Sequence, residues 1–464
     1  MSKLREQSFD WILCGIFFSV LIVGWFIKVA ATPANSFGEV DWFDINSPVG
    51  MQTYWTIACI LVFMSVMLIE KKFWNIFSLP IYLGSLALLL AVVLFGTEIN
   101  GSKSWLSLGG FSLQPSEIAK FATCLSISNF LANPSVKLDN FRSIVISITV
   151  ILAPVILILL QPDMGSALVF FAFFIILFRN GVSIWPFVTV ILLGAVFILT
   201  LSFSVYSTLA FLLLTLMVVF ASQFKFTRYW LLSIFLLSIA NVVCFYNDLH
   251  LLILVFDICI ALVFAFLSVK EGQLKLVSIV SAVFIGLASL SYTTSFAFNN
   301  ILKPHQQDRL NVWLHPEKCD PRGSLYNVIL SKMAISSGGV TGKGYMEGTL
   351  TKLNYVPEHT TDFIFCIVGE EQGFIGSLVI LSIFLIMIMR IFYVAEKSNI
   401  RFVTNFGFGL ASILFFHVFI NIGMTIGLVP VIGIPLPFIS YGGSSLLGFS
   451  LMFAVFLNIS GKGY

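Results

Sequence analysis

Charge is scarce in this sequence. Only 25 of its 464 residues are lysine or arginine and 22 are aspartate or glutamate, 10% in all, against roughly 25% in a soluble domain. Water is therefore excluded as the solvent for most of the surface. The balance of sign, +3 overall, lacks the strong basic excess expected of a nucleic-acid partner. Histidine is rare too, and the five residues show no metal-ligand spacing. The seven cysteines form no disulfide framework. Cys14, Cys59, Cys124, Cys244 and Cys259 lie inside apolar runs, where a thiol behaves as a small hydrophobe. Cys366 is near the start of another run, and Cys319 alone is in a long polar stretch. Extended polar sequence is also nearly missing, with one large exception at 294–362, about 69 residues.

What fills the chain is apolar sequence, 58% of all residues. A membrane-spanning helix needs roughly 20 such residues. Runs of that kind occur near 11–31, 52–70, 76–97, 114–132, 143–161, 165–179, 183–202, 205–223, 229–246, 249–269, 275–293, 363–394, 402–429 and 440–460. The expectation is an all-α polytopic membrane protein of about 14 transmembrane helices. The first run follows Lys3 and Arg5 and is too long for a signal-peptide core, so it reads as an uncleaved anchor. Basic residues test the count independently, since short cytoplasmic loops are enriched in them. With a cytoplasmic N-terminus, the inner segments hold Lys3, Arg5, Lys71, Lys72, Lys137, Arg142, Arg179, Lys225, Arg228, Lys270, Lys275, Arg390, Lys397, Arg401 and Lys462. The short outer loops hold Lys103, with Lys28 near an outer helix end. Both termini are then cytoplasmic and 294–362 faces outward. The Asn327–Ile335 stretch reads as a short amphipathic helix and Ser336–Gly344 as a glycine-rich turn, so this segment is expected to be a folded module resting on the bilayer.

Four stretches combine charge, glycine and proline where a plain spanning helix avoids them. In Gln114-Pro-Ser-Glu-Ile-Ala-Lys120, Glu117 and Lys120 stand three residues apart on one helix face. They read either as a functional pair lining a cavity or as a neutralised ion pair that tolerates burial. In Gln161-Pro-Asp-Met-Gly-Ser166, Asp163 reads first as a helix cap. In the Pro357–Phe365 stretch, Asp362 lies where the outer module meets a membrane helix, and Glu370-Glu371-Gln372-Gly373 follows as a point of break or tilt. A structural pairing of Asp362 with Arg309 or Lys343 is the alternative reading. In Asn421–Pro430 and Gly433–Ser445, Gly423 and Gly427 permit close helix approach, and the prolines shape a cavity wall.

In order and wording, Gln114–Lys120, Gln161–Gly165, Ser336–Gly344, Pro357–Phe365 and Gly433–Ser445 together resemble the SEDS family, which includes RodA, FtsW and SpoVE. Ser331–Gly339 and Gly342–Thr349 look more like RodA than FtsW. The resemblance covers nearly the whole chain outside about 205–290. It implies one SEDS membrane domain over 1–464, about ten family helices plus about four inserted in 205–293, and a periplasmic catalytic loop at 294–362. Two departures stand out: Thr360 replaces the family's histidine, with His359 one place earlier, and Ser104 replaces an arginine, with Lys103 beside it.

The implied activity is that of a peptidoglycan glycosyltransferase in the bacterial inner membrane. It polymerises lipid II, releases undecaprenyl pyrophosphate, serves elongation and rod shape, and works with a class B penicillin-binding protein. The resemblance places the catalytic acid at Asp362 and a polar cavity at Glu117 and Lys120. Substrate binding is expected to draw also on Lys343, Arg309, Lys103, Glu358, Glu370 and Ser336. No cofactor is expected to be tightly bound; a divalent cation is admitted as an aid in holding pyrophosphate. A lipid II flippase and a non-catalytic scaffold for the transpeptidase are the rival readings.

Overall fold

The computed structural model describes residues 9–31, 42–44, 47–99, 102–108, 111–221, 235, 237–239, 241, 250–270, 272–302, 304–320, 324–353, 355–356, 358 and 360–461. It divides into two compact units, Met1–Ser183 with Asp320–Tyr464, and Ile184–Cys319. Lys3, Arg5, Lys225, Arg228, His359 and Lys462 lie outside the described residues, as does most of the 229–246 run.

The first unit opens with α1 (Trp11–Ala30), α2 (Pro48–Leu68), α3 (Lys71–Ile76) and α4 (Ser78–Phe95). Their starts follow from local chemistry. Asp10 accepts from the Leu13 N–H at 2.9 Å, and Ser47 accepts from Gly50 at 2.9 Å just ahead of Pro48, each satisfying an otherwise orphaned donor. Next comes an antiparallel sheet, β1 (Thr97–Ile99), β2 (Ser102–Leu108) and β3 (Phe111–Leu113), paired Thr97 to Trp105 and Leu106 to Leu113. Then follow α5 (Pro115–Ala132), α6 (Phe141–Leu159), α7 (Met164–Val169), a 3₁₀ turn over Phe170–Phe173, and α8 (Phe174–Arg179). After the second unit, the chain returns in α14 (Ser324–Ser337), α15 (Thr349–Lys352), α16 (Phe365–Lys397), α17 (Arg401–Thr425) and α18 (Gly443–Ser460).

The core of this unit is α17 and α18, whose membrane-length windows are 72% and 83% buried. The α5 helix packs against both and against α4. Phe17, Phe438, Phe449 and Phe453 interlock at ring distances of 4.7 to 6.4 Å. Large apolar side chains such as Ile22, Leu61, Leu94, Leu385 and Phe415 are exposed instead, an apolar perimeter suited to lipid. Hydroxyls on these helices fold back onto the carbonyl four residues earlier, as at Ser19, Ser65, Thr149 and Ser382, which removes the cost of an unpaired donor in hydrocarbon.

The second unit holds α9 (Trp185–Ser202), α10 (Val205–Ala221), α11 (His250–Lys270), α12 (Leu274–Asn300) and α13 (Pro304–Leu314). It therefore begins one helix earlier than the 205–293 segment. Leu209, Leu213, Met217, Leu237 and Leu254 form its apolar core. Asp257 is fully buried in α11, and Asn241 donates to its two oxygens at 3.1 and 3.4 Å.

Among the described residues, ten helices are long and apolar enough to cross a membrane, and Met164–Arg179 and Val205–Val218 are shorter apolar pieces. The structure differs from the sequence reading in two places. The 165–179 run is three short helical pieces, and the loop bearing Lys103 is a small sheet.

Candidate functional site

Asp362 stands at the turn that ends the 294–362 segment and leads into α16. Its backbone is gripped from several directions. The buried Asn421 of α17 donates from Nδ2 to the Asp362 carbonyl at 2.9 Å and to the Ile434 carbonyl at 2.8 Å. Ser440 Oγ donates to the Thr361 carbonyl at 2.6 Å and accepts from the Leu436 N–H at 2.8 Å. The Tyr441 N–H donates to the Thr360 carbonyl at 2.9 Å. Glu358 closes the turn locally: its carboxylate accepts from Thr361 Oγ1 at 2.9 Å and its carbonyl from the Phe363 N–H at 3.0 Å. The Asp362 side chain is half-buried beside Gly433. Gly433 has a φ of 78°, and a Cβ there would stand 3.3 Å from Asp362 Oδ2. A side chain at 433 would thus be strained and would crowd the carboxylate.

The 433–441 wall is anchored in turn by the intramembrane ion pair. Lys120 Nζ lies 2.8 Å from Glu117 Oε1 and 2.8 Å from Oε2. It also lies 3.1 Å from His417 Nε2. All three residues are buried. An ammonium only donates, so Nε2 accepts and the imidazole proton is on Nδ1, which donates to the Pro435 carbonyl at 3.0 Å. His417 and Asn421 are one helical turn apart on α17 and so share a face. Together they hold the adjacent carbonyls of Pro435 and Ile434. The buried pair is neutralised, as the bland reading of the motif requires. It also extends, through His417, to the wall beside Asp362.

A second carboxylate organises the segment over 342–352 ahead of α16. Glu370 is fully buried and accepts six hydrogen bonds. Lys343 Nζ donates to it at 2.6 Å, and the Thr349, Leu350 and Thr351 N–H groups at 2.9, 2.9 and 3.0 Å. The Thr349 and Thr351 hydroxyls add bonds of 3.1 and 2.8 Å. Glu371 accepts from the Met346 N–H at 3.0 Å. Two glycines make the approach possible. Gly342 has a φ of 82° and a Cβ there would strike the Glu371 carbonyl; Gly373, at 65°, breaks α16 and would strike the Gly342 amide. Tyr345 pins the module to α1, its hydroxyl donating to the Phe26 carbonyl at 2.9 Å. Burial, then the Glu371 charge, raises the Tyr345 pKa, so it remains a donor.

The remaining sequence candidates are more dispersed. Lys343 spends two of its three donors on Glu370 and Thr349, at 2.6 and 2.7 Å, and is 26% exposed. Lys103 donates to the Val93 and Leu94 carbonyls at 3.4 and 3.3 Å, at the end of α4. Ser336 is exposed and turned to the Met333 carbonyl at 3.0 Å. Arg309 lies on α13 in the second unit. Asp163 caps α7, accepting from the Ser166 N–H at 3.0 Å, and takes a further bond from Gln114 Nε2 at 3.1 Å. His417 and Asn421 are the residues that sequence reasoning passed over as functional. A lone histidine inside an apolar span was the available signal.

The family model described as "Cell cycle protein" (FtsW, RodA, SpoVE) matches residues 12–213 and 211–463. Similar proteins include the peptidoglycan glycosyltransferase RodA of Treponema pallidum (strain Nichols), 30% identical over 96% of each chain. The peptidoglycan glycosyltransferase MrdB of Escherichia coli (strain K12) is 30% identical over 90% of this chain and 88% of its own. Among solved structures, one describing how a peptidoglycan synthase complex coordinates polymerization and crosslinking matches with TM-score 0.62 at 22% identity, over 98% of both chains. Thermus thermophilus RodA matches with TM-score 0.55 at 20% identity, over 99% of this chain and 98% of its own. These two likenesses bear on the fold.

Proposed function

The chain belongs to the FtsW, RodA and SpoVE family of cell cycle proteins, and we infer that it is a peptidoglycan glycosyltransferase serving cell elongation and rod shape. It is a multi-pass membrane protein. In our reading it is located in the bacterial inner membrane, with both termini cytoplasmic and 294–362 periplasmic. Its substrate is lipid II and its partner a class B penicillin-binding protein that crosslinks the product. The description of the similar synthase complex, polymerization coordinated with crosslinking, supports that pairing.

The observation that carries the mechanism is the setting of Asp362: a backbone fixed by Asn421, Ser440 and Tyr441, and a half-buried carboxylate beside a residue with no side chain. Such a carboxylate accepts the proton of a sugar hydroxyl held within hydrogen-bond reach. The hydroxyl oxygen then attacks the anomeric carbon of a second lipid II, the bond to the pyrophosphate oxygen breaks, and undecaprenyl pyrophosphate leaves. A donor of α geometry giving a β link requires one inverting displacement. Growing charge on the pyrophosphate needs cations. Lys343, which gives two of its three donors to Glu370 and Thr349 and keeps one for a ligand, is the best supported of the candidates. Among the described residues no three His, Cys, Asp or Glu side chains cluster to hold a metal. An assisting divalent cation would therefore enter with the pyrophosphate. Glu117, Lys120 and His417 act in this account as supports of the 433–441 wall.

Purified protein mixed with lipid II in detergent tests the function. A polymerase makes long glycan strands there, whereas a flippase has no two sides to work between and a scaffold yields nothing.

A further inference from the structure

The end of the first unit remote from Asp362 holds a polar cavity. Asp362 lies ahead of the start of α16 and this cavity at its finish, beyond the Gly373 break and about 36 Å of unbroken helix over 374–397. Its volume is about 550 Å³; it is open on one side and bordered by the loops following α5, α8 and α16 and by the start of α17. Lys137, Arg179 and Arg401 line it, with Asp139 as the one acid. The floor is polar and built: Asn405 is 1% exposed and accepts from Asn180 Nδ2 at 2.9 Å. Arg179 is fixed by Glu396 Oε2 at 2.7 Å and lies 4.6 Å from the centre of the Phe408 ring. Among the described residues neither Lys137 nor Arg401 forms an ion pair. Nothing in the polymerisation chemistry uses this cavity.

Its level in the membrane is marked by aromatic side chains. Phe141, Phe178 and Tyr393 are all exposed next to these loops, and Arg390 and Lys397 stand 5.1 and 5.4 Å from the Tyr393 ring. A tyrosine at a helix end is the mark of headgroup depth, and Lys and Arg in the adjoining short loops are the mark of a cytoplasmic face. Basic pockets between helices at that depth accommodate anionic lipid headgroups.

We propose that this cavity binds the phosphoglycerol headgroup of an anionic membrane lipid. Lys137 and Arg401 take the phosphate oxygens, where charge-assisted bonds are strongest. Asp139 would oppose a bare phosphate, but it accepts hydrogen bonds from glycerol hydroxyls, and Asn180 and Asn399 complete the polar lining. The acyl chains lie along the apolar perimeter outside the cavity. This site is independent of the polymerase reading, and its test reads lipid retention rather than glycan synthesis.

The full chain in detergent is titrated with phosphatidylglycerol, phosphatidylcholine or inorganic phosphate, following bound lipid by native mass spectrometry and Tm by thermal unfolding. Phosphatidylglycerol should stay bound and raise Tm; phosphatidylcholine should do neither. Lys137→Gln should weaken retention about fivefold and Lys137→Gln with Arg401→Gln about thirtyfold, from the contribution of one basic residue at an anionic surface. Both residues are exposed, so Tm in phosphatidylcholine should be unchanged in these variants. Wild-type retention in the double variant would overturn the site. Protection by inorganic phosphate equal to that by phosphatidylglycerol would overturn the lipid assignment in favour of a soluble anion.

Discussion

Asn421 holds two carbonyls that no residue near Asp362 in sequence could reach, at 2.9 and 2.8 Å. Asn421→Leu leaves both without that donor, a loss of about 1–3 kcal/mol for each buried group. Loosening of the turn should lower kcat for polymerisation at least tenfold with little change in KM for lipid II, a split that steady-state kinetics will read. The ion pair calls for a different test, because a buried pair adds little net stability while a lone buried charge is expensive. Lys120→Met strands Glu117 and should cost about 3–5 kcal/mol; adding Glu117→Gln should recover most of it in a double-mutant cycle of thermal stability. Glu117 and Lys120 were legible in the sequence because an ionised group amid apolar residues is costly and stands out, whereas Asp362, at the end of a polar segment, was marked by the resemblance of Pro357–Phe365 to the family motif. His417 was not. An imidazole in a spanning helix carries no mark of its partner, and Lys120 is 297 positions away.

At the scale of elements, the contact between the outer module and α16 is the feature with most consequence. Glu370 gathers the first amides of α15 and the Lys343 ammonium onto one carboxylate, and Gly373 lets the helix break where the glycine turn docks. Glu370→Gln removes the charge and turns one acceptor into a donor, so amides 349–351 should exchange with deuterium about tenfold to a hundredfold faster by mass spectrometry. Exchange at the wild-type rate would remove the latch from the account. The break at Gly373, the helix over 327–335 and the turn over 336–344 were readable from glycine placement and apolar spacing. The sheet over 97–113 was not: its strands are three to seven residues long, too short for alternation to register between two spanning runs. Nor was the 3₁₀ turn in 170–173, where five phenylalanines in nine residues look like any apolar helix.

For the whole molecule the account requires two faces. The outer module and the wall beside Asp362 belong to one, the loops around Lys137 and Arg401 to the other. With Cys244, Cys259 and Cys319 replaced by serine, a cysteine at Glu347 should react with an impermeant maleimide in spheroplasts, and one at Lys137 only after permeabilisation. This sidedness is what the sequence leads one to expect, because the bias of lysine and arginine is a property of the chain itself, and the labelling tests it. The compact second unit runs from Ile184 to Cys319; its start lies between two apolar runs and its end inside the one long polar segment, so neither boundary is marked by a compositional step. The most direct test of the central claim is glycan polymerisation from lipid II in detergent by Asp362→Asn beside the wild type, at matched Tm. The account predicts long strands from the wild type and none from the variant. Strands made at the wild-type rate by the variant would contradict it.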